Sequence, residues 1–164
     1  MDNNQISITF NSIGTIHSPF HELSNMPIQP CSSFSATGTV EILPQYVAGL
    51  KDLAGFSHII LLYYLHLANR VGLTVTPFLD SEPRGVFATR APQRPNPIGL
   101  SVVKLIEVDQ NILYVENLDI LDGTPLLDLK PYIPEFDSPI EIRLGWLESV
   151  IKEARTQRSD KRFK

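Results

Sequence analysis

The sequence has very little cysteine, no long apolar run and no excess of positive charge. Cys31 is the only cysteine in 164 residues, so a disulfide within the chain is excluded and a reducing compartment fits. The longest apolar stretch, residues 59–65, is far shorter than the ~20 residues that a membrane helix needs. The polar N-terminus has no signal pattern. With a formal net charge of −4, no overall field attracts nucleic acid. These absences predict a cytoplasmic protein without a membrane segment.

Sequence motifs of the common cofactor sites are also missing. No G-x-G-x-x-G follows a strand and no Walker loop is present, so a Rossmann-type nucleotide site is not indicated. His17 and His21 have the spacing of metal ligands, but Pro19 between them breaks the helix that this spacing requires. Cys31 has no nearby partner that would activate a thiol. We therefore expect neither a metal site nor a catalytic cysteine.

The hydrophobic pattern predicts one domain made mainly of short strands. Hydrophobic residues make up 43% of the chain, which is enough for a core. Pro44 is predicted to start a helix that ends at Gly55, and residues 146–154 a terminal helix. The expected fold is a small antiparallel β-barrel over residues 1–145 with two or three helices, followed by a short helix and basic tail at 146–164. The predicted strands are 6–16, 37–43, 58–67 (buried on both faces), 85–89, 100–108, 112–118 and 140–144.

Residues 85–101, GVFATRAPQRPNPIGLS, form the most informative segment. Its three prolines fix φ and lack backbone donors, so we expect a stiff, irregular loop between two strands. The loop presents Arg90, Arg94 and Asn96 as polar groups, and such loops often carry binding residues. A proline-rich connector with solvated arginines is the alternative interpretation.

A second informative segment, residues 118–132 (LDILDGTPLLDLKPY), embeds charges among leucines. Asp122 and Gly123 form a turn dipeptide. Asp128 and Lys130 are two residues apart, so they share one face of a strand, and a structural ion pair is one interpretation. A functional acidic cluster that includes Asp119 is the other.

Four segments, 13–20, 55–66, 85–101 and 119–134, resemble the signature blocks of the TrmO family in their order along the chain. These proteins are S-adenosylmethionine-dependent tRNA (adenine-N6)-methyltransferases that act on threonylcarbamoyl-adenosine (t6A) beside the anticodon. The resemblance covers residues 6–145. It implies a β-barrel that binds S-adenosylmethionine without a Rossmann fold, works as a homodimer with the donor near the subunit interface, and takes tRNA as its partner.

The resemblance also implies where the site lies. Cys31 stands where the family motif has a glycine. For the reaction itself, Asp128 or His66 is the predicted proton acceptor, while Arg94, Asn96 and Lys130 are the predicted substrate-binding residues. A methyltransferase acting on another RNA or small molecule, and a non-catalytic donor-binding module, remain as alternatives. The donor contacts implied by the resemblance are Pro30, Cys31, Ser32, His66, Leu67, Arg90, Leu100, Asp122, Gly123, Thr124 and Pro125.

Overall fold

The structure is a computed structural model that describes residues 6–30, 35–160 and 162–163. Six antiparallel strands close into a barrel in the order β1-β2-β7-β6-β3-β8, and β4 and β5 pair separately. The fold class predicted from the sequence, a small antiparallel β-barrel, is confirmed. The strands are β1 (Gly14–His17), β2 (Thr37–Ile42), β3 (His58–Tyr64), β4 (Thr74–Val75), β5 (Arg84–Gly85), β6 (Ile98–Asp109), β7 (Ile112–Glu116) and β8 (Thr124–Pro131).

The barrel interior forms because apolar side chains alternate along its strands. In β3, Ile59, Leu61 and Tyr63 point inward and are buried, while the side chains between them are partly exposed. The prediction that this strand is buried on both faces is therefore wrong for the outer face. The predicted hairpin between β6 and β7 is confirmed, with Gln110 at positive φ in its turn.

Three segments that alternate in hydrophobicity are not strands, or are strands for only part of their length. β1 begins at Gly14, and Ile6, Ile8 and Phe10 are exposed coil. Ile140 and its neighbours are also exposed coil, and residues 86–88 form a 3-10 turn after the short β5. The physical reason is that a closed barrel offers no free edge with which a further strand could pair.

Helical structure in the described residues is shorter than predicted. The helix expected from Pro44 to Gly55 consists of two 3-10 segments, Pro44–Leu50 and Leu53–Gly55. Asp52 separates them with φ 66°, a conformation that an α-helix cannot contain. The terminal helix is likewise two 3-10 segments, Gly145–Ser149 and Glu153–Arg155, and Pro134–Asp137 forms one α-helical turn, α1. None of the described helices is long and apolar enough to cross a membrane.

Candidate active site

A cavity of about 180 Å³ opens at the end of the barrel where β3 ends and β8 begins. Because β3 and β8 are antiparallel neighbours, the last residues of β3 lie beside the first residues of β8. His66 and Leu67 therefore line the same cavity as Thr124, although these residues are far apart in the sequence. The proline loop adds Arg90 to the wall. A second cavity, of about 570 Å³, adjoins the first. The residues that line both are Ile28, Phe78, Arg90, Pro92 and Phe163.

A hydrogen-bonded chain of three side chains connects the barrel core with this cavity. The Ser101 hydroxyl donates to Asp119 Oδ1 at 2.6 Å, and the Tyr63 hydroxyl lies 3.0 Å from Ser101 Oγ. With an ionised Asp119 the Ser101 proton points to the carboxylate, so Tyr63 donates to Ser101. Tyr63 and Asp119 both line the cavity, while Ser101 is fully buried behind them. The network holds the Asp119 carboxyl in one position at the cavity wall.

Gly99 makes room for this network. It pairs with Tyr63 across β3 and β6, and a Cβ built on Gly99 would overlap the Tyr63 ring. The ring thus lies directly against the Gly99 backbone, and its hydroxyl reaches Ser101 two residues along β6. A glycine and a serine near the end of the proline-rich segment are therefore explained by the side chain that faces them.

Burial governs the ionisation of the two acidic members of the network. Asp119 keeps some solvent-accessible surface, yet it is deep enough that burial raises the pKa of its carboxyl to about 6. The hydrogen bond from Ser101 and the positive charge of Arg90 oppose this rise of the pKa. Burial, followed by the charge of Asp119, also raises the pKa of Tyr63. Asp119 is thus a carboxyl in a cavity whose charge can change near neutral pH.

The C-terminal segment, residues 158–160 and 162–163, covers one side of the cavity. The Ser159 amide donates to Met26 O at 2.8 Å, and Asn25 N donates to Ser159 O at 2.9 Å. Phe163 packs edge-on against Phe78, with ring centroids 5.0 Å apart. Ser159, Asp160 and Phe163 belong to the cavity lining. No sequence signal marked this segment as part of the site, because its contacts depend on the folded chain.

Comparison with known proteins assigns the chain to a family. The family model of the tRNA-methyltransferase O N-terminal domain matches residues 15–138, which is most of the chain. The chain belongs to the TrmO family. The resemblance predicted from the sequence is thereby confirmed.

Individual TrmO relatives are similar over most of this chain. A probable S-adenosyl-L-methionine-binding protein of Pyrococcus abyssi is 52% identical, over 96% of this chain and 86% of its own length. The tRNA (adenine(37)-N6)-methyltransferase of Escherichia coli is 41% identical, over 88% of this chain and 66% of its own length. The crystal structure of TrmO from Pseudomonas aeruginosa superposes with a TM-score of 0.73 at 39% identity, covering 86% of this chain. This chain spans 63% of the length of that solved chain.

The donor contacts implied by the TrmO pattern divide into two groups in this structure. His66, Leu67, Arg90 and Thr124 line the first cavity. Five other predicted positions lie outside the lining of both cavities, and Cys31 and Ser32 lie outside the described residues. The five positions are Pro30, Leu100, Asp122, Gly123 and Pro125.

The Asp122 turn joins Leu121 and Thr124, which both line the first cavity. The Asp122 carboxylate accepts a hydrogen bond from Ser18 N at 3.1 Å, and its oxygens lie 3.5 Å from His17 Nδ1 and 3.4 Å from His21 Nδ1. The Ser18 bond is the main reason that the pKa of Asp122 is lowered. Gly123 has φ 76°, which suits glycine. The turn therefore fixes the start of β8, where Thr124 enters the cavity wall.

The side chains predicted to act on the substrate lie mostly outside the cavity. Asp128 and Lys130 form an ion pair of 2.7 Å in which both side chains are about half exposed. Arg94 donates from Nη1 to Thr89 O at 3.1 Å and to Ala91 O at 3.3 Å, so it holds the proline loop in shape. Asn96 is exposed on the same loop. Of the two predicted proton acceptors, His66 lines the cavity and Asp128 does not.

Sequence reasoning missed the functional potential of Tyr63 and Ser101, and it did not single out Asp119. Asp119 belonged to the acidic cluster, but nothing in its spacing separated it from Asp122 and Asp128. The available signal was a buried strand position occupied by serine two residues after a glycine. Among the described residues, no group of three or more His, Cys, Asp or Glu side chains is placed to hold a metal ion.

Proposed function

We propose that this protein is an S-adenosylmethionine-dependent methyltransferase that methylates N6 of t6A in tRNA. The observation that carries the proposal is a cavity with Arg90, His66 and Asp119 in its wall, in a chain of the TrmO family. The E. coli relative is named as a tRNA (adenine(37)-N6)-methyltransferase and the P. abyssi relative as a probable S-adenosyl-L-methionine-binding protein. A tRNA methyltransferase that binds S-adenosylmethionine as its methyl donor is consistent with both names.

The chemistry of the cavity wall fits the donor. Leucines and Phe78 in the lining offer apolar surface for a nucleoside, and Arg90 offers a guanidinium for the carboxylate of the amino-acid portion. The two cavities share part of their lining, and together they reach the size range of small-molecule sites. When bound, the donor supplies a methyl group already activated by a positive sulfur.

The task left to the chain is positioning and proton removal. The acceptor nitrogen must approach the methyl group in line, so that a nitrogen–carbon bond forms as the sulfur–carbon bond breaks. The nitrogen also loses its proton, because the methylated product is neutral. Its lone pair is delocalised in t6A, so the nitrogen is a poor nucleophile and removal of the proton helps it to react. His66, at the cavity wall beyond β3, is placed to accept this proton. Apolar walls and the C-terminal segment keep water away from the reacting atoms.

The outer face of the barrel supports a homodimer. Tyr64, Ile98 and Leu100 are exposed apolar side chains at the paired ends of β3 and β6. Leu100 does not line its own chain's cavity, which agrees with a donor site near a subunit interface. Sedimentation equilibrium tests the dimer, and a monomer at micromolar concentration would contradict it.

The decisive experiment incubates the protein with S-adenosylmethionine and with tRNA that carries t6A but no N6-methyl group. Nucleosides are then identified by mass spectrometry. We expect the t6A peak to gain the mass of one methylene, and Arg90→Ala to reduce the yield through weaker donor binding. An unchanged t6A peak with donor binding intact would favour a different acceptor, and an absence of donor binding would reject the methyltransferase itself.

A further inference from the structure

We propose that Asp119 distinguishes the methyl donor from its demethylated product by pairing with the positive sulfonium. This inference rests on the proposed function, because it concerns the same cavity. The donor and S-adenosylhomocysteine, the product, differ by one methyl group and by the positive charge on sulfur. A fixed negative charge in the cavity would bind the positively charged donor more tightly than the product, without any change in the shape of the cavity.

The geometry gives Asp119 a fixed position at the wall. Its Oδ1 accepts the Ser101 hydroxyl at 2.6 Å, and Ser101 is itself held by Tyr63 at 3.0 Å. The Tyr63 ring cannot move toward β6, because it lies against the Gly99 backbone. A carboxylate held in this way needs no reorganisation when a cation binds. The binding free energy is therefore not reduced by the cost of ordering the Asp119 side chain.

Within the residues that the structure describes, Asp119 is the carboxylate of the cavity lining that is not engaged in a salt bridge. The charged and titratable groups of the lining are Tyr63, His66, Arg90, Asp119 and Asp160. Asp160 is paired with Arg162, with 2.8 Å between Nη2 and Oδ2. In the described part of the chain, no salt bridge includes Asp119.

The sulfonium is a better partner for Asp119 than the ammonium of the same ligand. An ammonium needs up to three hydrogen-bond acceptors, and one Asp119 oxygen is already engaged by Ser101. A sulfonium donates no hydrogen bond and requires only a nearby negative charge. Burial raises the pKa of Asp119 to about 6 even though the positive charge of Arg90 in the same cavity opposes that rise, so Arg90 compensates the Asp119 charge only in part.

The test measures the affinities of both ligands by calorimetry at pH 7.5, for the wild type, Asp119→Asn and Asp160→Asn. We expect Asp119→Asn to weaken S-adenosylmethionine about tenfold more than S-adenosylhomocysteine, as the loss of one partly screened charge pair predicts. Asp160→Asn is the matched control: it removes a carboxyl from the same cavity whose charge Arg162 already compensates. Its ratio of the two affinities should change less than about twofold.

A second measurement requires no substitution. In the wild type, the preference for S-adenosylmethionine should grow as the pH rises through about 6, because ionised Asp119 attracts the sulfonium and protonated Asp119 does not. The same pH series on Asp119→Asn should show no such growth of the preference. Equal weakening of both ligands in Asp119→Asn, or a pH-independent preference in the wild type, would overturn the inference while leaving the proposed function intact. Failure of the wild type to bind either ligand would reject both.

Discussion

Gly99→Ala is the substitution that tests the packing beneath the candidate site most directly. Tyr63 is 7% exposed and faces Gly99 in the pairing of β3 with β6. A Cβ at position 99 would overlap the Tyr63 ring, so either the ring or the strand must shift. A shift of the ring draws its hydroxyl away from Ser101 and weakens the hold on Asp119.

The size of the effect follows from two opposing contributions to the free energy of unfolding. Inserting a methyl group into a well-packed core typically costs ~1–3 kcal/mol. Replacing glycine by alanine restricts the unfolded chain and returns ~0.4–1 kcal/mol. We therefore expect Gly99→Ala to lower the free energy of unfolding by about 1–2 kcal/mol, and the melting temperature by roughly 2–8 °C for a chain of this size.

Urea unfolding followed by far-ultraviolet circular dichroism measures this change across the β-barrel. Trp146 fluorescence would report instead on the surroundings of its indole, which donates to Ala88 O outside the β-barrel. Gly85→Ala is the matched control, because a Cβ there has no neighbour within 4 Å. In a Tyr63→Val background, Gly99→Ala should lower the free energy of unfolding much less than in the wild type, because the ring that the added methyl group meets is gone. If Gly99→Ala were as stable as Gly85→Ala, the packing argument would be refuted.

Two further predictions concern the polar network. Ser101→Ala leaves the Tyr63 hydroxyl and Asp119 Oδ1 without their shared partner, so we expect the free energy of unfolding to fall by ~1–3 kcal/mol in urea titrations at pH 7; an unchanged midpoint would show that water replaces the serine. Since burial raises the pKa of Asp119 to about 6, the folded state binds the proton more tightly than the unfolded state. The stability should therefore decrease by up to about 3 kcal/mol as the pH rises from about 4 to about 6. Asp119→Asn should remove that contribution, and an identical pH dependence of stability in the wild type and in Asp119→Asn would contradict the assignment.

The β-barrel could be predicted because its signals are local. The hairpin between β6 and β7 follows from alternation and turn chemistry, which need only neighbouring residues. The apolar run of β3 indicated a strand, but not which of its two faces points into the barrel. Residues 6–10 and 140–144 carry the same alternation and are nevertheless exposed coil. Alternation indicates that a segment can pair, whereas a strand forms only where a neighbouring edge is available.

The candidate site was predictable only where resemblance supplied positions. His66, Leu67, Arg90 and Thr124 were expected in one place, and they line one cavity. Composition and spacing could not single out Asp119, because its distinction from Asp128 is one of depth. Asp128 is half exposed beside Lys130, while Asp119 lies where β3, β6 and the start of β8 converge.

Ser101 shows why the network is better explained by a ligand than by stability. It is fully buried in the barrel, where an apolar side chain would fill the same space without a hydroxyl to satisfy. Its hydroxyl is needed because Asp119 requires a donor, and a buried carboxyl is itself destabilising at neutral pH. The two polar groups satisfy each other, but apolar side chains at both positions would avoid the destabilisation that burying polar groups causes. A fold retains such an arrangement where it serves binding, and a cationic ligand beside Asp119 would convert that cost into affinity.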